Sequence, residues 1–221
     1  MSPTRAELLA AVDRVVPDVV AEDLRVLFCG INPGLYTAWA GHHFARPGNR
    51  FWPALHGSGF TPRLLRPDEE QELLTLGLGV TNVVARATAT AAELSREELR
   101  EGGRRLVAVG ERWRPSYVAV LGVTAYRAAF GEPRAGLGPQ QRRLGPARVW
   151  VLPNPSGLNA HHQPADLARL FGELRAEVDR EVESEVESEV EDEVKREVEV
   201  EVESEVEVDR ESRRRPLDEN K

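Results

Sequence analysis

Four short apolar runs punctuate the first three quarters of the chain: residues 24–30 (LRVLFCG), 79–84 (GVTNVV), 117–122 (YVAVLG) and 148–152 (RVWVL). Runs of this length, apolar on both faces and followed by turn residues, predict buried parallel strands. Amphipathic stretches separate them. Residues 67–76 carry Asp68, Glu69 and Glu70 in their first turn, where a helix dipole favours carboxylates. Ser95 opens a Ser-Arg-Glu-Glu capping box, predicting a helix toward Trp113 in which Gly102 and Gly103 are weak points. Residues 124–130 and 164–178 complete the helical set. Strands alternating with helices predict an open α/β sheet covered on both faces. Ligands of such sheets gather at the carboxyl ends of strands, so the loops after Gly30, Val84 and Leu152 carry the functional expectation.

The pattern changes beyond residue 177. Residues 178–208 approximate a Glu-Val-Glu-Ser repeat, with Val178, Val182, Val186, Val190, Val194 and Val198 four apart. On a helix that spacing draws a thin, drifting valine stripe, while branched valines and repelling carboxylates weaken the helix. The expected organisation is therefore a catalytic or binding domain over residues 1–177. Residues 178–221 form an acidic tail, disordered or marginally helical, with no partner identified by sequence.

Charge supports the division. The 221 residues carry 37 acidic and 29 basic side chains, but 20 acidic and 8 basic residues fall in 177–221. The remainder is mildly basic, and every one of its basic side chains other than histidine is arginine. Arginine suits bidentate phosphate contacts, which permits nucleic-acid binding; a compositional bias toward arginine would look the same. Cys29 is the only cysteine, which excludes a disulfide framework and any four-cysteine metal site within one chain. No run of about 18 apolar residues is present, and the N-terminus lacks a basic-then-apolar leader. A cytoplasmic bacterial protein, acting at the nucleoid if it binds DNA, is expected.

Three constellations stand out. Gly30-Ile31-Asn32-Pro33-Gly34 follows the first strand; its glycines let backbone approach a ligand, and the Asn32 amide can orient a water without acting as a strong base. It matches neither a dinucleotide fingerprint nor a phosphate-binding Walker loop. A plain strand-exit turn would read the same. The second, Gly41-His42-His43-Phe44 with Pro47-Gly48-Asn49-Arg50-Phe51-Trp52, offers Phe44 to stack on a base, whereas Phe51 and Trp52 suit the core. Adjacent histidines seldom chelate one ion, so no metal is expected from His42/His43 or His161/His162. The third, residues 152–159 (LPNPSGLN), is a stiff loop with Ser156 and Gly157 free to meet an anion, and Leu158 at its tip can wedge between bases or fold back into the core.

Together these segments resemble the mismatch-specific uracil/thymine-DNA glycosylases of the uracil-DNA glycosylase superfamily. The likeness runs from about residue 24 to 174 through VLFCGINPGL, GHHFARPGNRFW, GVTNVVARAT, REGGRRLV and VWVLPNPSGL, in one order. The resemblance implies a three-layer αβα fold with a central four-stranded parallel sheet, to which the acidic C-terminal extension is added. It implies a monofunctional enzyme of base-excision repair that flips uracil, and by extension thymine or damaged pyrimidines, from G·U and G·T mismatches. The N-glycosidic bond is then hydrolysed without metal or cofactor.

By motif position, Asn32 is expected to hold the attacking water, and Ile31 and Phe44 to form the floor and stacking wall of the pocket. His43 and Asn82 are expected beside the base. Asn154, Pro155, Ser156, Gly157 and Leu158 are expected to pinch the backbone, fill the gap and meet the orphaned guanine. The partner implied is double-stranded DNA bound by a monomer, away from membranes.

The sequence departs from the superfamily at several points. Other branches place a carboxylate in the first motif and histidine where Asn154 stands; bacterial mismatch enzymes often have lysine at the place of Asn82; an arginine two residues beyond the wedge is here Ala160. With amides at both catalytic positions, chemistry rests on positioning and is expected to be slow. A non-catalytic mismatch or abasic-site binding protein fits the same loops. An α/β hydrolase does not, since no Gly-x-Ser-x-Gly elbow is present.

Overall fold

The computed structural model describes residues 2–213. The apolar runs form β1 (Val26–Gly30), β2 (Leu78–Asn82), β3 (Tyr117–Leu121) and β5 (Ala147–Leu152), mutually parallel in the order β2-β1-β3-β5. Every residue of β1, β2 and β3 is buried, as apolar runs covered on both faces require.

The sheet is nevertheless five-stranded and mixed, which corrects the expected four-stranded parallel sheet. A hairpin turning at Gly145-Pro146 adds β4 (Gly138–Leu144), antiparallel to β5 at the edge. Its sequence, GPQQRRL, buries only Leu144, so no apolar pattern announces it. An edge strand has one neighbour and faces solvent; it tolerates Pro139 and charged side chains, and a break in register between Gln140 and Arg143 roughens the edge.

Helices cover both faces. From β1, Leu27 and Cys29 point into a cluster with Leu106 of α5 (Arg96–Trp113) and Tyr126 of α6 (Val123–Phe130). Phe28 points the other way. It meets Phe51 of α3 (Phe51–Gly57) edge-on at 5.6 Å between ring centroids, and stacks on Phe171 of α7 (Pro164–Arg213) at 5.8 Å. Of two short helices, α2 (Leu35–Ala40) follows directly on the first strand-end loop and α1 (Arg5–Leu9) packs against α2.

The glycine pair expected to weaken α5 lies inside an unbroken helix. A Cβ on Gly102 would come within 2.3 Å of the Val83 carbonyl oxygen, and one on Gly103 within 2.6 Å of that of Ala129. The glycines trade helix propensity for close packing against the strand end and α6. The expected helix over 67–76 is divided instead into a 3₁₀ turn (Pro67–Glu69) and α4 (Glu72–Thr75). Glu70 lies between them and is turned inward, 5% exposed.

The chain divides into two compact units, Met1–Ala176 and Glu177–Lys221. As far as Arg213 the second unit is helical, and Val182, Val186 and Val190 are exposed on it. Residues 214–221 of the expected tail lie outside the described residues. Among the described residues no helix is long and apolar enough to cross a membrane.

Candidate active site

The turn after β1 and the loop after β2 are laced together. The Val83 and Val84 amides donate to the Gly30 and Ile31 carbonyls at 2.8 and 2.9 Å, and Thr88 N donates to Pro33 O at 3.2 Å. Within this frame the Asn32 amide nitrogen donates to Pro33 O (3.2 Å), Arg86 O (3.1 Å) and Thr88 Oγ1 (2.7 Å). Two of these partners are carbonyls, which only accept, so the amide cannot be flipped. Thr88 in turn spends its own proton on Thr90 O at 2.8 Å. The Asn32 Oδ1 is left as the atom able to accept a hydrogen bond from a water or ligand.

Beside Asn32 opens a cavity of about 210 Å³. Ile31, Asn32, His43, Phe44 and Asn82 line it, and so do Asn154, Ser156 and Leu158 from the loop after β5. Eight of the ten residues singled out by sequence thus meet in one cavity. The other two are close by. Gly157 lines an adjoining groove with Arg46 and Arg50, and Pro155 is buried, its carbonyl accepting from the Arg50 amide at 2.8 Å. Among the described residues no carboxylate lines the cavity, and no cluster of three or more metal-ligating side chains occurs.

Two backbone exceptions shape the floor and wall. A Cβ at Gly30 would sit 2.5 Å from Asn82 Oδ1 and 3.2 Å from Phe44 Cζ, so glycine is what allows both side chains to approach. Phe44 has φ of 54°, a left-handed conformation costly for an aromatic residue. Its ring is held by stacking on Phe51 at 4.0 Å between centroids. Phe51 and Trp52 are buried in the core at the start of α3, as expected from the sequence.

His43, 1% exposed, is fixed from three directions. Its backbone N–H donates to Glu70 Oε2 at 2.7 Å, its carbonyl accepts from Trp52 Nε1 at 3.3 Å, and its Nε2 lies 2.9 Å from Pro17 O. A carbonyl only accepts, so Nε2 carries a hydrogen, and in that tautomer Nδ1 is an acceptor. It takes a hydrogen bond from Asn82 Nδ2 at 3.3 Å. The Asn82 amide is thereby oriented too, with Oδ1 over Gly30. His42 Nδ1 lies 3.0 Å from the other Glu70 oxygen, so one inward-turned carboxylate ties both histidines.

The loop after β5 is built from its own polar groups. Asn154 Oδ1 accepts from Ser156 N at 3.0 Å, Asn159 Nδ2 donates to Asn154 O at 2.9 Å, and Leu158 N donates to Ser156 Oγ at 3.3 Å. Leu158 projects from it, 76% exposed. A Cβ at Gly157 would lie 2.4 Å from the Gly48 carbonyl oxygen, so this loop nests against the one carrying Phe44.

The defining pattern of the Uracil DNA glycosylase superfamily matches residues 17–175 of the chain. The chain belongs to the uracil DNA glycosylase superfamily. The match spans the whole sheet and all three constellations, and stops just before the acidic second unit. In this superfamily member the sequence did not assign roles to Thr88, Arg50 or Glu70. Thr88 and Arg50 lie inside the quoted motifs GVTNVVARAT and GNRFW, where their presence was visible but not their partners. Glu70 stands 27 residues from His43 in an acid-rich stretch and gives no signal in sequence.

Proposed function

We propose that the protein is a monofunctional DNA glycosylase that removes uracil, and more slowly thymine, from G·U and G·T mismatches in base-excision repair. The observation that carries this reading is the Asn32 amide: its nitrogen is committed to three acceptors, and its oxygen remains for water in a cavity shared with Phe44 and Asn82. Membership of the superfamily supports the reaction class.

A duplex hides the glycosidic bond, so the nucleotide is rotated out at a cost of about a few kcal/mol, less at a mismatch. Leu158, exposed at the tip of its loop, fills the vacated stack and slows return of the base. Phe44 stacks on the extruded pyrimidine. Asn82 Oδ1 accepts the imide N–H, which uracil and thymine carry and cytosine lacks. Departure of the base leaves an oxocarbenium-like sugar and an anionic pyrimidine, which the amide dipoles of the site stabilise. Asn32 Oδ1 orients water at the anomeric carbon, so the rate comes from proximity rather than strong base chemistry. Uracil and pyrimidines with a more acidic N–H leave faster than thymine, whose methyl group must also be seated. The chemistry calls for no metal or cofactor, the DNA partner is double-stranded, and the protein works as a monomer. The acidic residues 178–221 are an accessory to this domain.

Single-turnover excision from G·U, G·T and A·U duplexes by the full chain tests the reading. Wild type should release uracil from G·U fastest, and Asn32→Ala should be slower by about a hundredfold or more, the scale of removing one preorganised polar group. An Asn32→Ala enzyme as fast as wild type would refute the assignment. Tight mismatch binding with no abasic product would favour a non-catalytic sensor.

A further inference from the structure

Arg50 occupies the position immediately before α3, anchored by the buried Phe51 and Trp52 that follow it. Its guanidinium reaches across to the Leu158 loop, donating through Nη1 to Asn159 O (3.1 Å) and His162 O (2.7 Å). Nη2 lies 3.4 Å from Gly157 O, and the Arg50 backbone N–H donates to Pro155 O at 2.8 Å. One residue thus gathers carbonyls on both sides of the exposed leucine. Among the described residues Arg50 has no carboxylate partner: its fork is spent on main chain.

We propose that Arg50 is the positioning residue that presets the height and orientation of the Leu158 plug. The proposal rests on the glycosylase reading for its consequence, though not for the clamp itself. A planar guanidinium can hold diverging carbonyls at once, which a lysine ammonium on a flexible stem cannot reproduce. Hydrogen bonds from a charged donor are stronger than neutral ones, so the clamp outweighs the loop's internal bonds. An exposed loop left to its own polar contacts samples open forms, and ordering it on DNA would be charged against binding. With the clamp, the leucine is already set when the duplex arrives.

This makes a prediction that a phosphate-contacting arginine does not. A phosphate contact serves single-stranded and duplex DNA alike, whereas a plug matters only where there is a stack to fill. The experiment compares full-length wild type, Arg50→Gln and Arg50→Lys in two ways. Amide hydrogen exchange of residues 156–162 is followed in the free protein, and single-turnover uracil release is measured from a G·U duplex and from a single-stranded oligonucleotide.

Arg50→Gln should speed exchange across 156–162 and lower the duplex-to-single-strand rate ratio about tenfold, with Arg50→Lys between it and wild type. Leu158→Ala should lower the same ratio, and adding Arg50→Gln to it should cost less than Arg50→Gln costs alone. Unaltered exchange over 156–162 overturns the clamp, whatever the activity. Equal loss on both substrates, or effects of Arg50 and Leu158 that simply multiply, overturns its link to the plug. A wild type that releases uracil from neither substrate counts against the glycosylase reading, and the clamp is then judged by exchange alone.

Discussion

The two strand-end loops that meet at the cavity are held in opposite ways. Around Asn32 the turn is interior: backbone amides from the β2 loop bond its carbonyls, and the Asn32 nitrogen returns the favour to that loop. Its partner Thr88 is 2% exposed. Around Leu158 the loop is exterior, tied by its own asparagines and serine and by one arginine from another loop. On the function proposed above, positioning a water demands an arrangement with no alternative, which the many bonds around Asn32 would supply. Entering a base stack would demand a projecting apolar group, which no core can cover, so a few side chains must hold it from outside. The first region should therefore fail through crowding and the second through loosening.

Gly30→Ala presses hardest on this contrast. The new Cβ would lie 2.5 Å from Asn82 Oδ1, and the Asn82 amide cannot swing aside without giving up its bond to His43. Displacement of a positioned group by about 1 Å is worth about a hundredfold in rate, and overpacking a dense site costs about 1–3 kcal/mol in stability. Excision should fall about a hundredfold on duplex and single-stranded uracil alike, as read by single-turnover kinetics. A near-normal rate would mean that the site around Asn32 yields, and that it is not over-determined.

Gly157→Ala asks the same question of the outer loop. Its Cβ would lie 2.4 Å from the Gly48 carbonyl oxygen, a backbone atom, so the two loops must part. Both glycines are exposed, so parting them should barely move the thermal midpoint. On the proposed reading, excision from duplex should fall about tenfold, and more than excision from a single strand, because the Leu158 loop is lifted while the surroundings of Asn32 stay intact. An equal loss on both substrates would show that the two regions are mechanically one.

How much of this could be read from residues alone follows from the same contrast. The four buried strands and the helix capped by Ser95 are written in apolar runs and a capping box, because burial on both faces leaves no freedom of composition. β4 escaped because an edge strand with one buried residue carries no such pattern. The cavity's walls were legible because Asn32, Phe44, Asn82 and Leu158 sit in short, unusual, strand-end segments. Their supports were not. Glu70, Arg50 and Thr88 act through bonds spanning 27, 112 and 56 residues, and nothing in a linear pattern announces such a partner. Gly102 and Gly103 were visible but misleading, since helix propensity is local and the carbonyls they admit belong to other elements.

The smallest effect concerns how the inner region is anchored from behind. Arg86 offers its carbonyl to Asn32, and its guanidinium binds Glu98 at 2.6 Å and Asp13 at 3.3 Å. The Arg86 hydrogen bond, followed by the Ser95 amide and hydroxyl that cap α5, brings the Glu98 carboxyl down from 4.5 to about 2. A carboxyl with a depressed folded value contributes stability that is fully present above its unfolded value and lost as pH falls through the folded one. The contribution should therefore be complete above about pH 4.5 and fade toward pH 2. Glu98→Gln keeps the shape but not the charge. It should lower the thermal midpoint slightly at pH 7, with the gap to wild type closing between pH 4.5 and 2. The pair is partly exposed, so salt should shrink the gap as well. Excision at neutral pH should change less than in Gly30→Ala, because Asn32 donates to the Arg86 main-chain carbonyl and not to its side chain. A gap that stayed constant down to pH 2 would show that the carboxylate's charge does nothing for this anchor.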